Sequence, residues 1–411
     1  MMKPLLMIFM TISFTALHAQ QGSKVILGNI DTIHSEILHE KRTIWVYTPD
    51  ITNGQSLIKK KYPVVYVLDG DHHFYSVTGI IQQLSAANGN MVLPQMIVVG
   101  VLNTDRTRDF TSSRAVADDH VADSLVLGKA GGGEDFISFM EKELIPYVDS
   151  AYPTQPYRVL IGHSLAGLPV ISSLINHTAL FNGYIAIDPS ILWDHEKLLN
   201  ESAVALAKNQ YVNTGFFLGI ANSMEGANDT NLVKRDTSRL SGQIRSNLKF
   251  AKVISGNKQN KLKSKWVYYN QEDHESVPLI ATYDALHFIF DFYKLKLTQQ
   301  DLADTTDALA TKIELHYQKV SEQMGYSIYP PEDLVSKLGY KAIEEKQWTR
   351  AVSLFKMNTD YYPASFTAFD ALGDFYAATG NIPNAVACYR KALSLNPQEL
   401  TKTKLDKLEH Q

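Results

Sequence analysis

Cysteine is nearly missing from this chain. Cys388 is the single one among 411 residues, so no intrachain disulfide can form. A surplus of positive charge is missing too. Lys and Arg number 39 against 43 Asp and Glu, a formal net charge of −4. That balance gives no electrostatic footprint for nucleic acid or an anionic membrane. No His, Cys and Asp cluster carries metal-ligand spacing, so neither a metal nor a cofactor is implied. The uncharged stretch Leu5–Leu17 is shorter than the roughly 20 residues a spanning helix needs.

What stands at the N-terminus reads as an address. One lysine, Lys3, precedes that apolar stretch, and Leu17-His18-Ala19 follows before Gln20. This is the pattern of a signal peptide, with cleavage expected near Ala19. No Cys follows it, which excludes a lipid-anchored cysteine. Export without disulfides suits a periplasmic or secreted bacterial protein that relies on its core. The length allows two or three domains.

Short apolar runs alternate with helical patterns through most of the chain. Ser35–Pro49 reads as two strands joined by a His39–Lys41 turn. Tyr62–Leu68, Gln95–Val101, Val159–Ile161, Gly183–Ile187, Gly215–Ile220 and Lys265–Tyr269 read as further strands. Helices are expected at Glu134–Tyr147, from Leu165 onward, around Leu240–Val253 and at Ile280–Tyr293, the last completing the sheet's core. A long polar segment from Asn103 to Gly133 holds Arg106, Arg108 and Arg114, and a loop of that length in such a domain is usually functional. The alternation predicts an α/β fold with a mostly parallel, doubly wound sheet. Ligands bind such sheets where loops leave the carboxyl ends of strands. Ser164, Asp188, Glu225 and His274 all fall at predicted strand ends.

The stretch Arg158–Val170, R-V-L-I-G-H-S-L-A-G-L-P-V, organises the rest. A buried strand, a sharp turn bearing Ser164 and a helix give the context of a nucleophile elbow. Its serine sits in strained φ/ψ with its Oγ above the sheet, so its neighbours must be small. Gly162 fits, while Ala166 stands where a second glycine is usual, with Gly167 after it. The alternative is a plain glycine-rich strand–helix turn.

Acyl transfer by serine needs a base, an acid that orients it and donors for the oxyanion. His274 is the favoured base, because its loop follows the last strand; His72, His73 and His163 compete, with His163 expected to point the wrong way. Glu225 is the favoured acid, since its strand immediately precedes the His274 unit, with Asp229 and Asp188 as alternatives. Each of these carboxylates could instead be a solvated loop charge or a helix cap. The N–H of Leu165 is one oxyanion donor, and a second is expected at Gly70 or Asp71.

Residues from about Ile37 to Tyr293 resemble the putative esterase family of α/β-hydrolases, which includes S-formylglutathione hydrolase, enterochelin esterase and the mycolyltransferases. The matching pieces are R-T-I-W-V-Y-T-P, Y-V-L-D-G-D, E-L-I-P-Y-V-D, G-H-S-L-A-G-L, D-P-S-I-L-W and D-H-E-S-V-P. The resemblance implies a serine esterase with Ser164 as nucleophile, His274 as base and an acid after the penultimate strand.

Beyond the hydrolase pattern, Leu302–Met324 reads as a connecting helix. From there Leu338-Gly339 recurs as Leu372-Gly373, Ala351 as Ala385 and Pro363 as Pro397, each 34 residues on (372 − 338, 385 − 351 and 397 − 363). That period resembles tetratricopeptide helix pairs. The expected organisation is a signal peptide at 1–19, a hydrolase domain at 20–298, a connecting helix and linker at 299–333, and repeats at 334–411. The expected function is an exported serine esterase acting on a small-molecule or acylated ester, with a protein partner possible through the repeats. Narrower alternatives are an esterase for siderophores or acylated polysaccharide. The alternative from another class is a non-catalytic binding protein on a hydrolase fold.

Overall fold

The computed structural model describes residues 25–49, 60–85, 89–114, 128–224 and 241–410, with positions 233, 235, 236 and 238 besides. The leader expected at 1–19 lies outside the described residues. Eight strands form one sheet in the order β1-β2-β4-β3-β5-β6-β7-β8. β1 (Asn29–Ser35) pairs antiparallel with β2 (Glu40–Tyr47), and β2 pairs antiparallel with β4 (Ile97–Val101). The pairings among β4, β3 (Tyr62–Val67), β5 (Thr154–His163), β6 (Gly183–Ile187), β7 (Gly215–Ala221) and β8 (Lys263–Tyr269) are parallel. The expected fold is therefore present.

The first hairpin sits further upstream than its sequence suggests. Residues 36–39 form the turn, because Glu143 accepts from the Ser35 hydroxyl and from the N–H groups of Glu36 and Ile37 at 2.5, 3.0 and 3.1 Å. β1 is a polar edge strand, exposed on alternate positions.

In chain order, the helices of this part are α1 (Gly70–Ser85), α2 (Arg106–Phe110), α3 (Gly133–Phe139), α4 (Ile145–Ala151), α5 (Gly167–Asn176), α6 (Trp193–Lys208), α7 (Gly242–Gly256) and α8 (Val277–Ile289). A π turn, Met140–Leu144, joins α3 to α4. The central strands are buried on both faces, and their side chains divide with a period of two. Val64, Tyr66, Leu160, Tyr184 and Phe216 join α3 to α7 in one core. Val65, Val67, Val159, Ile185 and Phe217 join α1 and α8 in the other.

The sheet's core does not end at α8. A short helix, α9 (Gln299–Ala303), precedes α10 (Ala308–Met324), so the expected connecting helix is broken between Asp304 and Asp307. Val320 and Met324 of α10 are buried in the same cluster as Val159, Ile289 and Phe290. Five more helices follow: α11 (Glu332–Glu344), α12 (Trp348–Tyr361), α13 (Phe366–Ala378), α14 (Ile382–Leu395) and α15 (Glu399–Glu409). Fully buried Arg350 of α12 donates to Leu302 O at 2.7 Å, tying α9 down. In both helix pairs a glycine lets a ring approach. A Cβ on Gly339 would meet Phe355 at 2.7 Å, and one on Gly373 would meet Tyr389 at 2.5 Å. Among the described residues, no helix is long and apolar enough to cross a membrane.

Candidate active site

The strand order turns back on itself at β3, with β4 on one side and β5 on the other. In a doubly wound sheet that reversal opens a crevice at the carboxyl ends of the strands, and β5 runs directly into Ser164. Ser164 has φ of 59°, a left-handed conformation that costs a non-glycine residue roughly 1–3 kcal/mol and persists only when its surroundings enforce it. Here they do. A Cβ on Gly162 would lie 2.2 Å from Ala166 O, and one on Gly167 would lie 2.5 Å from Pro189 Cβ. The tight approaches thus fall on Gly162 and Gly167. The Ala166 methyl is fully buried without disturbing the turn.

The Ser164 hydroxyl donates to His274 Nε2 at 2.9 Å, and His274 Nδ1 donates to Asp188 Oδ2 at 2.6 Å. His274 comes from the loop between β8 and α8, and Asp188 directly follows β6. The Asp188 side chain is wholly buried, which an ionised carboxylate tolerates only with donors around it. Ala221 N donates to its Oδ1 at 3.1 Å, Asn247 Nδ2 to Oδ1 at 3.2 Å and Gln243 Nε2 to Oδ2 at 2.8 Å. Burial alone would push the His274 pKa down, but the hydrogen bond and charge of Asp188 outweigh it and raise the value.

Asp69, His72, His73, Arg106, His163 and Glu275 line a cavity of ≈ 240 Å³ with Ser164 and His274. Arg106 holds Asp69 in a fork, Nε to Oδ1 at 2.8 Å and Nη2 to Oδ2 at 2.9 Å. α2 carries Arg106 and is itself anchored. Fully buried Asp109 pairs with Arg42, and Arg108 reaches Glu40 at 2.7 Å. The long polar segment therefore supplies Arg106 to the cavity, uses Arg108 as a tether and leaves Arg114 exposed.

The structure brings together Ser164, His274 and the alternative acid Asp188. Glu225 and Asp229 lie outside the described residues. Leu165 lies in the 3-10 turn that opens at Ser164, while Gly70 and Asp71 open α1 beside the cavity residues His72 and His73. His72 and His73 line the cavity; no hydrogen bond joins either to Ser164 among the described residues. His163 stacks on His274 instead of reaching the serine, with ring centroids 4.6 Å apart. Sequence reasoning missed Gln243 and Asn247, two amides on one helix with no signal to set them apart. Asp69 was visible only inside the Y-V-L-D-G-D piece, with no role assigned to it. Among the described residues, no group of three or more His, Cys, Asp or Glu is arranged to hold a metal ion.

Residues 35–278 match the family described as "Putative esterase". The chain is similar to ferri-bacillibactin esterase BesA of Bacillus subtilis (strain 168), 28% identical over 240 residues, which are 55% of this chain and 78% of that protein. It is also similar to an IroE-like serine hydrolase from Shewanella oneidensis, at 27% identity and a TM-score of 0.64, covering 81% of this chain and 99% of the other. An uncharacterised protein from Capnocytophaga ochracea DSM 7271 shares the fold over 93% of this chain and 99% of its own, with a TM-score of 0.64 and 19% identity.

Proposed function

Because this chain belongs to the putative esterase family of α/β-hydrolases, we propose that it cleaves carboxylic esters through Ser164 as nucleophile, His274 as base and Asp188 as orienting acid. One observation carries this reading: the unbroken contact from Ser164 Oγ through the His274 ring to Asp188, at 2.9 and 2.6 Å. As Ser164 attacks the ester carbonyl, His274 Nε2 takes the hydroxyl proton, and Asp188 stabilises the imidazolium. The oxyanion is held by the Leu165 N–H and by backbone N–H groups at Gly70 and Asp71, which sit at helix starts where donors lack intrahelical partners. His274 then returns its proton to the leaving alcohol, and water repeats the cycle on the acyl-enzyme. Asp188 takes the role for which the sequence favoured Glu225. Hydrolysis of short-chain p-nitrophenyl esters by the mature protein tests the activity.

Within this class, the reading favoured is a siderophore ester. The similarity to ferri-bacillibactin esterase supports it. So does the polar cavity, whose His, Arg and carboxylate lining suits an ester rich in hydrogen-bonding groups better than a long acyl chain. Ferri-bacillibactin offered beside an acetylated polysaccharide separates the two narrower activities. Export follows from the leader pattern at 1–19, and a mature N-terminus at Gln20 in a periplasmic or secreted fraction tests it. Gly339 under Phe355 and Gly373 under Tyr389 keep the same 34-residue offset (373 − 339 and 389 − 355). This supports reading the last helices as tetratricopeptide-like, through which a protein partner would bind.

A further inference from the structure

Building on that triad reading, we propose that His163, the residue before the nucleophile, is a positioning residue that holds the His274 ring in place for proton transfer. His163 ends β5 and is buried. Its ring lies 4.6 Å from the His274 ring, tilted by 41°, and the His73 ring stands perpendicular to it at 5.5 Å. The His274 backbone also interacts with its side chain, in the sense that favours the protonated ring.

Asp188 and Ser164 hold the two nitrogens of His274 at the ring's edge, at 2.6 and 2.9 Å. Contacts at a ring's edge resist rocking out of its plane less than a contact on its face. His274 comes from a loop whose flanking residues, Asp273 and Glu275, are exposed; Asp273 Oδ1 accepts from the N–H groups of Glu275 and Ser276 at 3.0 and 2.8 Å, which fixes the loop backbone but not the His274 ring. The His163 ring, 4.6 Å from that of His274, provides what is lacking.

The choice of imidazole at this place is poor for stability. His163 Nε2 is buried and has no hydrogen-bond partner, an arrangement that costs free energy and calls for an explanation. A leucine would fill the space without that cost. The ring also stays uncharged: burial, then the neighbouring His274 and His73, push its pKa down to about 3, against smaller opposition from the His274 backbone and then Asp69. A neutral ring can lie against His274 while His274 becomes an imidazolium in each turnover. A charged one would oppose that step.

The test compares His163→Leu and His163→Asn with wild type on p-nitrophenyl acetate. Asparagine keeps a polar group toward the His274 backbone and loses the ring; leucine loses both. A misplaced catalytic group costs on the order of 10²-fold. The leucine variant should therefore lose about 10- to 100-fold in kcat with KM within about twofold. Asparagine should fall between leucine and wild type, and leucine should melt no lower than wild type. A leucine variant within about twofold of wild-type kcat overturns the proposal, as does a lowered melting temperature in both variants with kcat per folded molecule unchanged. Ser164→Ala, run beside them, keeps the two readings apart: a live Ser164→Ala enzyme refutes the triad, whereas a dead one beside an unimpaired leucine variant refutes only the role of His163.

Discussion

Asp188 Oδ2 stands 2.6 Å from His274 Nδ1 across 86 positions of sequence, with the carboxylate side chain wholly buried. Three further donors, from Ala221, Gln243 and Asn247, converge on the same group. Asp188→Asn places an amide among donors and removes the imidazolium's partner. It should lower kcat on an activated ester by roughly 10²–10⁴-fold, whereas Glu225→Gln should stay close to wild type. A larger loss from Glu225→Gln would return the acid's role to that residue.

Activity and one part of the stability should respond oppositely to pH. His274 works as a base only when neutral, and Asp188 raises its pKa against the effect of burial. The acid limb of kcat/KM should therefore lie above the ordinary histidine value of about 6.5. Protonated His274 pairs better with Asp188, so its contribution to stability is fully present below about 6.5 and is lost as pH rises through the raised value. His163 has the other sign. Its pKa is pushed down to about 3 by burial and by His274 and His73. Between about 6.5 and that value the unfolded chain binds a proton that the fold refuses, which lowers stability by up to about 1.4 kcal/mol per pH unit. Denaturant unfolding of His163→Leu and wild type from pH 4 to 7 isolates this slope. Parallel curves would show that His163 is not held neutral.

Where the chain can be cut follows from α10. Val320 and Met324 are buried against the same cluster as Ile289 and Phe290, with Tyr326 and Ile328 packed beside it. Ending the chain after Pro331 should leave a folded hydrolase that cleaves p-nitrophenyl acetate. Ending it after Leu297 should expose that apolar surface and give aggregation. Equal behaviour of the two fragments, read by size-exclusion chromatography, would show that α10 does not complete the core.

At the elbow, Gly162→Ala has no room. The added carbon would lie 2.2 Å from Ala166 O, a backbone atom that cannot swing aside. The turn must open, at about 1–3 kcal/mol or more, and Ser164 moves with it. The variant should lose both melting temperature and turnover. Ala166→Gly should change turnover little, because the Ala166 methyl is already accommodated.

The sheet was legible because its central strands are buried on both faces and so stand out as short apolar runs; Gly183–Ile187 matches β6 residue for residue. Ser164 and the His274 loop were legible for a similar reason, since small residues beside a serine and a histidine after a last strand are local signals. The acid was not. Asp188 and Glu225 were both expected after strands, and what favours Asp188 is the convergence of groups 33, 55 and 59 positions away. β1 was missed because a polar edge strand has no hydrophobic period to show. The sequence reading closed the core at the Ile280–Tyr293 helix because an amphipathic helix such as α10 displays an apolar face without naming what covers it.

The most direct measurement is kcat for p-nitrophenyl acetate with Ser164→Ala, made alongside a thermal melt. Only a hydroxyl is removed from a turn whose shape the neighbouring backbone enforces, so the melting temperature should stay near wild type. Turnover should fall by at least about 10³-fold, as the loss of a nucleophile requires. Retention of kcat within about tenfold of wild type would contradict Ser164 as the nucleophile, and with it the mechanism proposed here.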